Sequence, residues 1–364
     1  MAASVLFLST TLLLLLANSF HILEGRLIKP PAKPRFKSNG PYNVAHRGAN
    51  GEFPESSIAA FKRAIENGAD FIETDIGSTR DGVLICMHDT TLDAVTDVAQ
   101  HPEFAHKKAM YVDEGVNVTG FFAVDFTLQE IKTLRLRQRY DFRDQSYNGL
   151  FEIPTFEEYI AVALEADRVV GIDPEIKSPV FINKHVKWPG GDLFEDRFVK
   201  TLLKYGYNDP YNSQKWLKQP VFIQTFAPTS ILHIANKTKS PKIFALGPAD
   251  ALAQDTKLLY SHYYTDEFLD FIANYVTALS TKKFLIVPMD SSHKNLPATD
   301  FVERAHVRDL LVQTATFSNE AQFMARDFAA DPEQEFDYFI RKVHADIILT
   351  DHPATLSHYL KQKY

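Results

Sequence analysis

Two acidic residues alternate along a short stretch that has the composition of a strand. Glu73 and Asp75 are separated by one residue, and side chains alternate across a strand, so both carboxylates point to the same side. Like charges placed in this way repel unless a positive group lies between them. Oxygen ligands favour hard cations, so Mg²⁺ or Ca²⁺ would be the simplest partner. For an isolated Glu-x-Asp, a solvated surface pair is the commoner explanation.

A third acid follows the next strand-like run, Val169–Ile172. Glu175 and Lys177 share one face of that strand for the same geometric reason. Glu175 would complete a metal site, and Lys177 would hold a phosphate oxygen as a point charge. A local ion pair is the commoner explanation of any single Glu-x-Lys.

Two histidines each follow a short apolar run. His46 comes after residues 43–45 and His88 after residues 85–87. One histidine in such a place is more often structural, but two beside an acid cluster suit the roles of general base and general acid. Arg47 adds a fork of donors for a phosphate group. Glu55 opens a helix and is either a further ligand or a favourable acid in the first turn.

Apolar runs of strand length alternate with helical patterns over most of the chain. The helical stretches include Ser56–Asn67 and Thr155–Glu165, and capping boxes begin at Thr127 and Thr155. The alternation predicts an α/β fold, a (β/α)8 TIM barrel, with a doubly wound open sheet as the alternative. The predicted strands are Tyr42–Ala45, Asp70–Ile76, Val169–Ile172, Val221–Gln224, Lys242–Leu246, Phe284–Val287, Leu310–Thr314 and Asp346–Thr350.

One stretch interrupts the alternation after the second predicted strand. Asp81-Gly82 precedes the strand-like run Val83–Met87, which is a hairpin signal where a barrel strand should be followed by a helix. Residues from about 83 to 149 are therefore predicted to form an insertion on one face of the barrel. Cys86, the only cysteine, lies in this apolar run and is predicted to be a buried packing residue rather than a nucleophile.

The N-terminus has the pattern of a secretory signal peptide. The apolar run Leu6–Ala17 is shorter than the roughly 20 residues that a membrane helix needs, and Ala17-Asn18-Ser19 has the small-x-small form of a cleavage site. We expect a signal peptide over residues 1–25, a linker over 26–40 and one domain over 41–364. A short membrane anchor is the alternative. The sequons at Asn117 and Asn236 agree with a secreted or vacuolar glycoprotein, and no stable membrane anchor is expected.

Composition excludes one class of partner. The chain of 364 residues carries a net charge of -7 and contains no long basic run, which argues against nucleic-acid binding. With 45% hydrophobic residues it can form a large core, which fits a single large domain that contains no disulfide.

These motifs resemble those of the glycerophosphodiester phosphodiesterase family, in its plant-type secreted branch. The resemblance covers roughly residue 44 to the C-terminus. The pieces that match in order are His46-Arg47-Gly48, Pro54-Glu55-Ser56, Gly68-Ala69-Asp70, Glu73-Thr74-Asp75, Asp81-Gly82, His88-Asp89, Ile153-Pro154-Thr155, Glu175-Ile176-Lys177, Gln224-Thr225-Phe226 and Leu349-Thr350-Asp351-His352-Pro353.

The resemblance implies a TIM barrel with a small insertion after its second strand. It also implies metal-dependent hydrolysis of a small glycerophosphodiester, such as glycerophosphocholine, to an alcohol and sn-glycerol 3-phosphate, with Mg²⁺ or Ca²⁺ as cofactor. The attacking oxygen would come from water or from the glycerol hydroxyl of the substrate. The roles that the resemblance implies are His46 as base, His88 as acid, Arg47 and Lys177 as phosphate ligands, and Glu73, Asp75 and Glu175 as metal ligands, with Glu55 a further ligand or a supporting acid.

Two other functions fit the same scaffold. A phospholipase D-like phosphodiesterase acting on intact lipids would need an exposed apolar rim, for which residues 120–124 are the candidate segment. A catalytically idle cell-wall or surface protein would keep the barrel alone. Retention of the acids, histidines and lysine argues against idleness, because function is inferred from the site and not from the fold.

Overall fold

The computed structural model describes residues 36, 37 and 40–364. The predicted signal peptide and nearly all of the predicted linker lie outside these residues. Phe36, inside the predicted linker, is only 8% exposed. The centre of its ring lies 5.3 Å from that of Phe71 and 5.8 Å from that of Trp216, so this residue packs against the barrel.

Eight parallel strands close into a barrel. The first and second strands pair with each other, and the first also pairs with the last, which confirms the TIM barrel and excludes the open sheet. The strands of the described chain are β1 Tyr42–Ala45, β2 Phe71–Ser78, β3 Leu84–Cys86, β4 Ala109–Asp113, β5 Val116–Gly120, β6 Gly171–Ile176, β7 Ile223–Thr225, β8 Lys242–Leu246, β9 Ala278–Lys282, β10 Leu311–Phe317 and β11 Ile347–Thr350. The barrel order is β1-β2-β6-β7-β8-β9-β10-β11.

Helices cover the outside of the barrel. Both predicted capping boxes are present, at Thr127 and Thr155. The α-helices are α1 Ile58–Glu66, α2 Leu128–Ile131, α3 Phe156–Glu165, α4 Pro179–His185, α5 Phe194–Lys204, α6 Pro228–Ala235, α7 Asp266–Ile272, α8 Lys283–Ile286, α9 Phe301–His306, α10 Pro332–Arg341 and α11 Pro353–Lys363. Short 3₁₀ turns lie at Val98–Gln100, Pro102–Lys107, Ala123–Asp125, Pro189–Gly191, Trp216–Lys218, Tyr260–Tyr264, Ala321–Phe323 and Arg326–Phe328. Among the helices described, none combines the length and the hydropathy that a membrane crossing requires.

One predicted strand is wrong. The run Phe284–Val287 was expected to be extended, but residues 283–286 form the helical turn α8, and the strand lies earlier, at Ala278–Lys282. The true strand contains Ser280 and Thr281, which are buried and make the segment less apolar than a typical core strand. Phe284 is 43% exposed. Hydropathy alone therefore placed the strand too late.

The chain between β2 and α3 forms a substructure beside the barrel. Strand β3 pairs antiparallel with β2, as the Asp81-Gly82 turn predicts, and β4 and β5 form a separate hairpin. Cys86 is buried and free, as predicted. Residues 120–124 are also buried: Phe121 and Phe122 pack inside, so this segment is not the exposed apolar rim that lipid docking would need.

The barrel interior changes character along its axis. An apolar layer that includes Tyr42, Phe71 and Phe222 fills the N-terminal end. Two residues further along β2 and β6, Glu73 and Asp173 are buried opposite each other. The strands thus have a packed apolar end and a polar end, and the buried acids lie toward the polar end.

A substitution at Gly171, the first residue of β6, tests this packing. A Cβ at Gly171 would lie 2.2 Å from ring atoms of Phe71, whose ring is fixed among other buried aromatics. We expect Gly171→Ala to lower the free energy of unfolding by about 1–3 kcal/mol through overpacking. Gly77→Ala is the matched strand control, because its Cβ would meet nothing closer than 3.7 Å. Urea denaturation measures both, and equal stability of the two variants would contradict the packing described.

Candidate active site

The structure brings the three predicted metal-binding acids to one end of two neighbouring strands. In the register of β2 and β6, Asp75 pairs with Glu175, and Glu73 lies one pleat below Asp75. Lys177 lies between them, with Nζ 3.4 Å from Asp75 Oδ1 and 3.2 Å from Glu175 Oε1. Gln224 on β7 donates to the other oxygen of Glu175 at 2.9 Å. The Glu-x-Lys pair is thus part of the acid cluster and not an isolated surface ion pair.

Arg47 joins the same cluster from the loop after β1. Its Nε is 3.3 Å from Asp75 Oδ2, its Nη1 donates to Glu55 at 3.0 Å, and its backbone N–H donates to Glu73 at 2.7 Å. The residue has a positive φ of 54°, and Gly48 after it has a φ of 80°. A Cβ at Gly48 would lie 2.7 Å from the backbone of α1, so this tight turn requires glycine at position 48.

The pKa values of Glu73 and Asp75 are shifted in opposite directions. Burial, followed by the charge of Asp75, raises the pKa of Glu73 well above its usual value. Burial also acts to raise the pKa of Asp75, but the charges of His88 in its protonated form, of Lys177 and of Arg47 outweigh it and the pKa is lowered. Asp75 is therefore ionised, whereas a negative charge on the buried Glu73 destabilises the folded protein.

His46 is oriented by an aspartate that sequence reasoning assigned no role. Asp351, directly after β11, accepts from His46 Nδ1 at 2.7 Å. It also accepts from Ser318 at 2.6 Å and from Asn50 at 2.8 Å. Burial opposes ionisation of Asp351, but the hydrogen bond and charge of His46 and the charge of Arg143 lower its pKa. A carboxylate can only accept, so His46 carries its proton on Nδ1 and leaves Nε2 for chemistry.

His88 has the same kind of partner. Its Nδ1 lies 2.5 Å from Oδ1 of Asp89. Burial, then the charges of Arg47 and Lys177, lower the pKa of His88 to about 4, so this imidazole is neutral at pH 7 in the free site. A bound phosphate anion would offset the two cations and raise that pKa.

Glu55 lies with the arginines rather than with the other carboxylates. Arg139 donates two hydrogen bonds of 2.7 and 2.8 Å to Glu55, and Arg47 donates a third. Burial raises the pKa of Glu55, but Arg47 and Arg139 more than compensate and hold it at about 2. Of the two roles expected for Glu55, the contacts favour that of a supporting acid that fixes Arg47.

Four site residues escaped the sequence reasoning. Asp89 and Asp351 belong to recognised motifs but carried no assigned role. Arg139 and Arg143 lie far along the chain from the acids that they bind, and their one signal was an arginine-rich stretch at 135–143. A further buried acid, Asp173 on β6, has a pKa raised to about 7 by burial and by Glu175.

The residues present fit a divalent cation in their ligand chemistry. All three predicted ligands offer carboxylate oxygens, the type that Mg²⁺ and Ca²⁺ prefer, and Asp75 Oδ2 is buried with an ion pair to Arg47 but without a hydrogen bond. In the part of the chain that is described, no three acids, histidines or cysteines are close enough to enclose an ion. Lys177 and Arg47 instead supply the positive charge between the acids.

The site thus combines two cationic donors for an oxyanion, two oriented imidazoles and an oxygen-rich acid cluster at one mouth of the barrel. That set suits hydrolysis of a phosphate ester, because charge on the phosphate oxygens and a proton on the departing oxygen both need stabilisation.

Comparison with known proteins agrees with this chemistry. The sequence model of the Glycerophosphoryl diester phosphodiesterase family matches residues 46–355. Glycerophosphodiester phosphodiesterase GDPD6 of Arabidopsis thaliana is 52% identical over 92% of this chain and 90% of its own length. The glycerophosphodiester phosphodiesterase of Haemophilus influenzae is 26% identical over 87% and 89%.

A solved structure supports the fold independently. A phosphodiesterase of Oleispira antarctica, in complex with sn-glycerol-3-phosphate, superposes with a TM-score of 0.56 at 14% identity, over 88% of this chain and 97% of its own. With a match that spans most of the sequence and a relative more than half identical, this chain belongs to the glycerophosphodiester phosphodiesterase family.

Proposed function

We propose that this enzyme hydrolyses glycerophosphodiesters, such as glycerophosphocholine, to an alcohol and sn-glycerol 3-phosphate. The observation that carries the proposal is the convergence of His46, His88, Arg47 and Lys177 on one acid cluster at the barrel mouth. Family membership supports phosphodiesterase chemistry on glycerophosphodiesters. The Oleispira antarctica structure, which contains sn-glycerol-3-phosphate, supports the identity of the product.

In the proposed mechanism, Arg47 and Lys177 bind the phosphate oxygens and stabilise the charge that develops on them. His46 takes a proton from the attacking oxygen of water or of the glycerol hydroxyl. His88, which becomes protonated on Nε2 once the bound phosphate raises its pKa, delivers that proton to the departing alcohol as the phosphorus–oxygen bond breaks. Because each histidine donates Nδ1–H to an aspartate, Nε2 of each ring remains for proton transfer.

Glu73, Asp75 and Glu175 would hold the divalent cation. A bound Mg²⁺ or Ca²⁺ would supply additional positive charge to neutralise the phosphate oxygens. The costly burial of Glu73 beside Asp75 supports this assignment, because a protein rarely buries neighbouring carboxylates unless something compensates their charge.

We also propose entry into the secretory pathway, with glycans on Asn117 and Asn236. Asn117 pairs with Val112 across the β4–β5 hairpin, so the two share a face with the 63% exposed Met110. A glycan there would cover an apolar surface. Asn236 is exposed at the end of α6.

The lipid-cleaving alternative loses its candidate docking segment, because residues 120–124 are buried. The idle alternative is set aside by family membership together with the complete set of site residues.

Replacing either histidine tests the proton-transfer roles. We expect His46→Ala and His88→Ala each to lower kcat on glycerophosphocholine by about 10²–10⁴-fold. The loss in His88→Ala should shrink with a 4-nitrophenyl ester of glycerol phosphate, because nitrophenolate departs without a proton. His358→Ala is the control, with a side chain 66% exposed on the last helix. Near-normal turnover in both site variants would refute the mechanism.

Removal of metal tests the acid cluster. Chelator should abolish turnover, and Mg²⁺ or Ca²⁺ should restore it. Activity that survives complete removal of metal would overturn the cation assignment.

Glu73→Gln tests the same cluster through stability. Because burial and Asp75 raise the pKa of Glu73, its charge costs stability increasingly as pH rises above the ordinary 4.5. The metal-free variant should therefore have a higher Tm than the wild type at pH 8, and a smaller rise on adding cation. Glu66→Gln, at an exposed acid on α1, is the matched control. A lower Tm in metal-free Glu73→Gln would show that the charge of Glu73 does not destabilise the folded protein.

Glycosylation is tested by secreted expression. An enzyme that removes N-linked glycans should lower the apparent mass, and Asn117→Gln and Asn236→Gln should each lose one glycan. An unmodified mature protein would contradict this part of the proposal.

A further inference from the structure

Two arginines four residues apart each hold the aspartate of one histidine. Arg143 Nη2 donates to Asp351 Oδ2 at 2.7 Å, and Asp351 in turn binds His46. Arg139 Nη1 lies 2.9 Å from Asp89 Oδ2, and Asp89 binds His88. Each aspartate thus uses one oxygen for its histidine and the other for its arginine.

Both arginines come from the segment 138–143, which lies between α2 and α3 and outside the barrel strands. Gln138 fixes this segment by donating to the backbone oxygens of Asn50 and Phe53 at 2.9 and 3.3 Å. Arg143 also lies over the ring of Tyr140 at 4.8 Å. The segment is therefore anchored to the loop that follows His46.

The side chain of Arg143 is buried. It is 2% exposed, and its Nε donates to Glu320 at 2.7 Å. Asp351 keeps donors from Ser318 and Asn50 besides the arginine, so loss of Arg143 would chiefly remove its balancing charge. A buried carboxylate without its cation binds a proton more readily, and a protonated Asp351 would no longer enforce the Nδ1–H form of His46.

Arg139 has a different task. In the contacts described for Asp89, His88 and Arg139 are the partners, so the orientation of this carboxylate depends on the arginine. Arg139 also grips Glu55, which binds Arg47. One guanidinium therefore fixes both a histidine and a phosphate-binding arginine.

We propose that Arg139 and Arg143 are positioning residues, which hold His88 and His46 in their reactive orientation through Asp89 and Asp351. The inference rests on the proposed function, because it assigns the two histidines to proton transfer. It adds that the segment between β2 and α3 is required for chemistry and not only for covering the barrel.

The test compares Arg139→Ala and Arg143→Ala with Arg137→Ala, a control at an exposed arginine of the same stretch. Loss of an orienting partner should lower kcat by about 10- to 100-fold. The loss of kcat in each arginine variant should depend on the leaving group in the same way as the loss in the variant of the histidine that this arginine positions. The loss in Arg139→Ala should be smaller with the nitrophenyl ester than with glycerophosphocholine, and the loss in Arg143→Ala should be the same for both. KM should rise for Arg139→Ala, through Arg47, and stay unchanged for Arg143→Ala.

Variants that preserve side-chain size guard against a folding defect. Asp89→Asn and Asp351→Asn should show the same two patterns, with a Tm measured for every protein. Arg139→Lys and Arg143→Lys keep the charge but not the planar fork, so they should recover the rate only in part.

The outcomes separate this inference from the proposed function. If the histidine variants lose activity but both arginine variants match Arg137→Ala, the positioning roles are wrong and the mechanism stands. Equal losses of Arg139→Ala on both substrates, with leaving-group dependence in His88→Ala, would also overturn them. If the histidine variants keep their activity, the proposed function itself fails.

Discussion

Burial of charge at the C-terminal mouth of the barrel is the constraint on which the rest of the structure depends. Glu73, Asp75 and Glu175 lie on adjacent strands, where water cannot screen them, and Arg47 and Lys177 lie between them. Charges taken out of water need partners that match them closely, because an unpaired one costs several kcal/mol or more. The tight His-Arg-Gly turn and the Glu-x-Lys at the end of β6 meet this need. The balance that stabilises the acids also presents positive charge where a phosphate would bind.

The segment between β2 and α3 completes that balance from outside the barrel. Its arginines reach Glu55, Asp89 and Asp351, which come from three different loops. Strands of a barrel can bring acids and histidines to one face, but the orientation of each imidazole is then decided by loop residues. In this enzyme, orientation and fold stability are therefore linked through the same hydrogen bonds.

Much of the fold could be predicted from the sequence, because the periodic apolar runs of a parallel sheet are a local signal. β1 and β8 were placed at their observed bounds. β9 was misplaced, because buried serine and threonine line that part of the barrel. The acids of the cluster could be proposed from their spacing along single strands. Arg139 and Arg143 were not, because their partners lie 84 and 208 residues away along the chain, and no local pattern reports such a contact.

The central claim is that the enzyme cleaves the bond between phosphorus and the head-group oxygen. Glycerophosphocholine hydrolysed in ¹⁸O-labelled water tests it most directly, with the phosphate products followed by ³¹P NMR and the choline by mass spectrometry. The account predicts sn-glycerol 3-phosphate that carries the label on phosphate, together with unlabelled choline, whether water or the glycerol hydroxyl attacks first. Release of phosphocholine, or label in the choline, would contradict it.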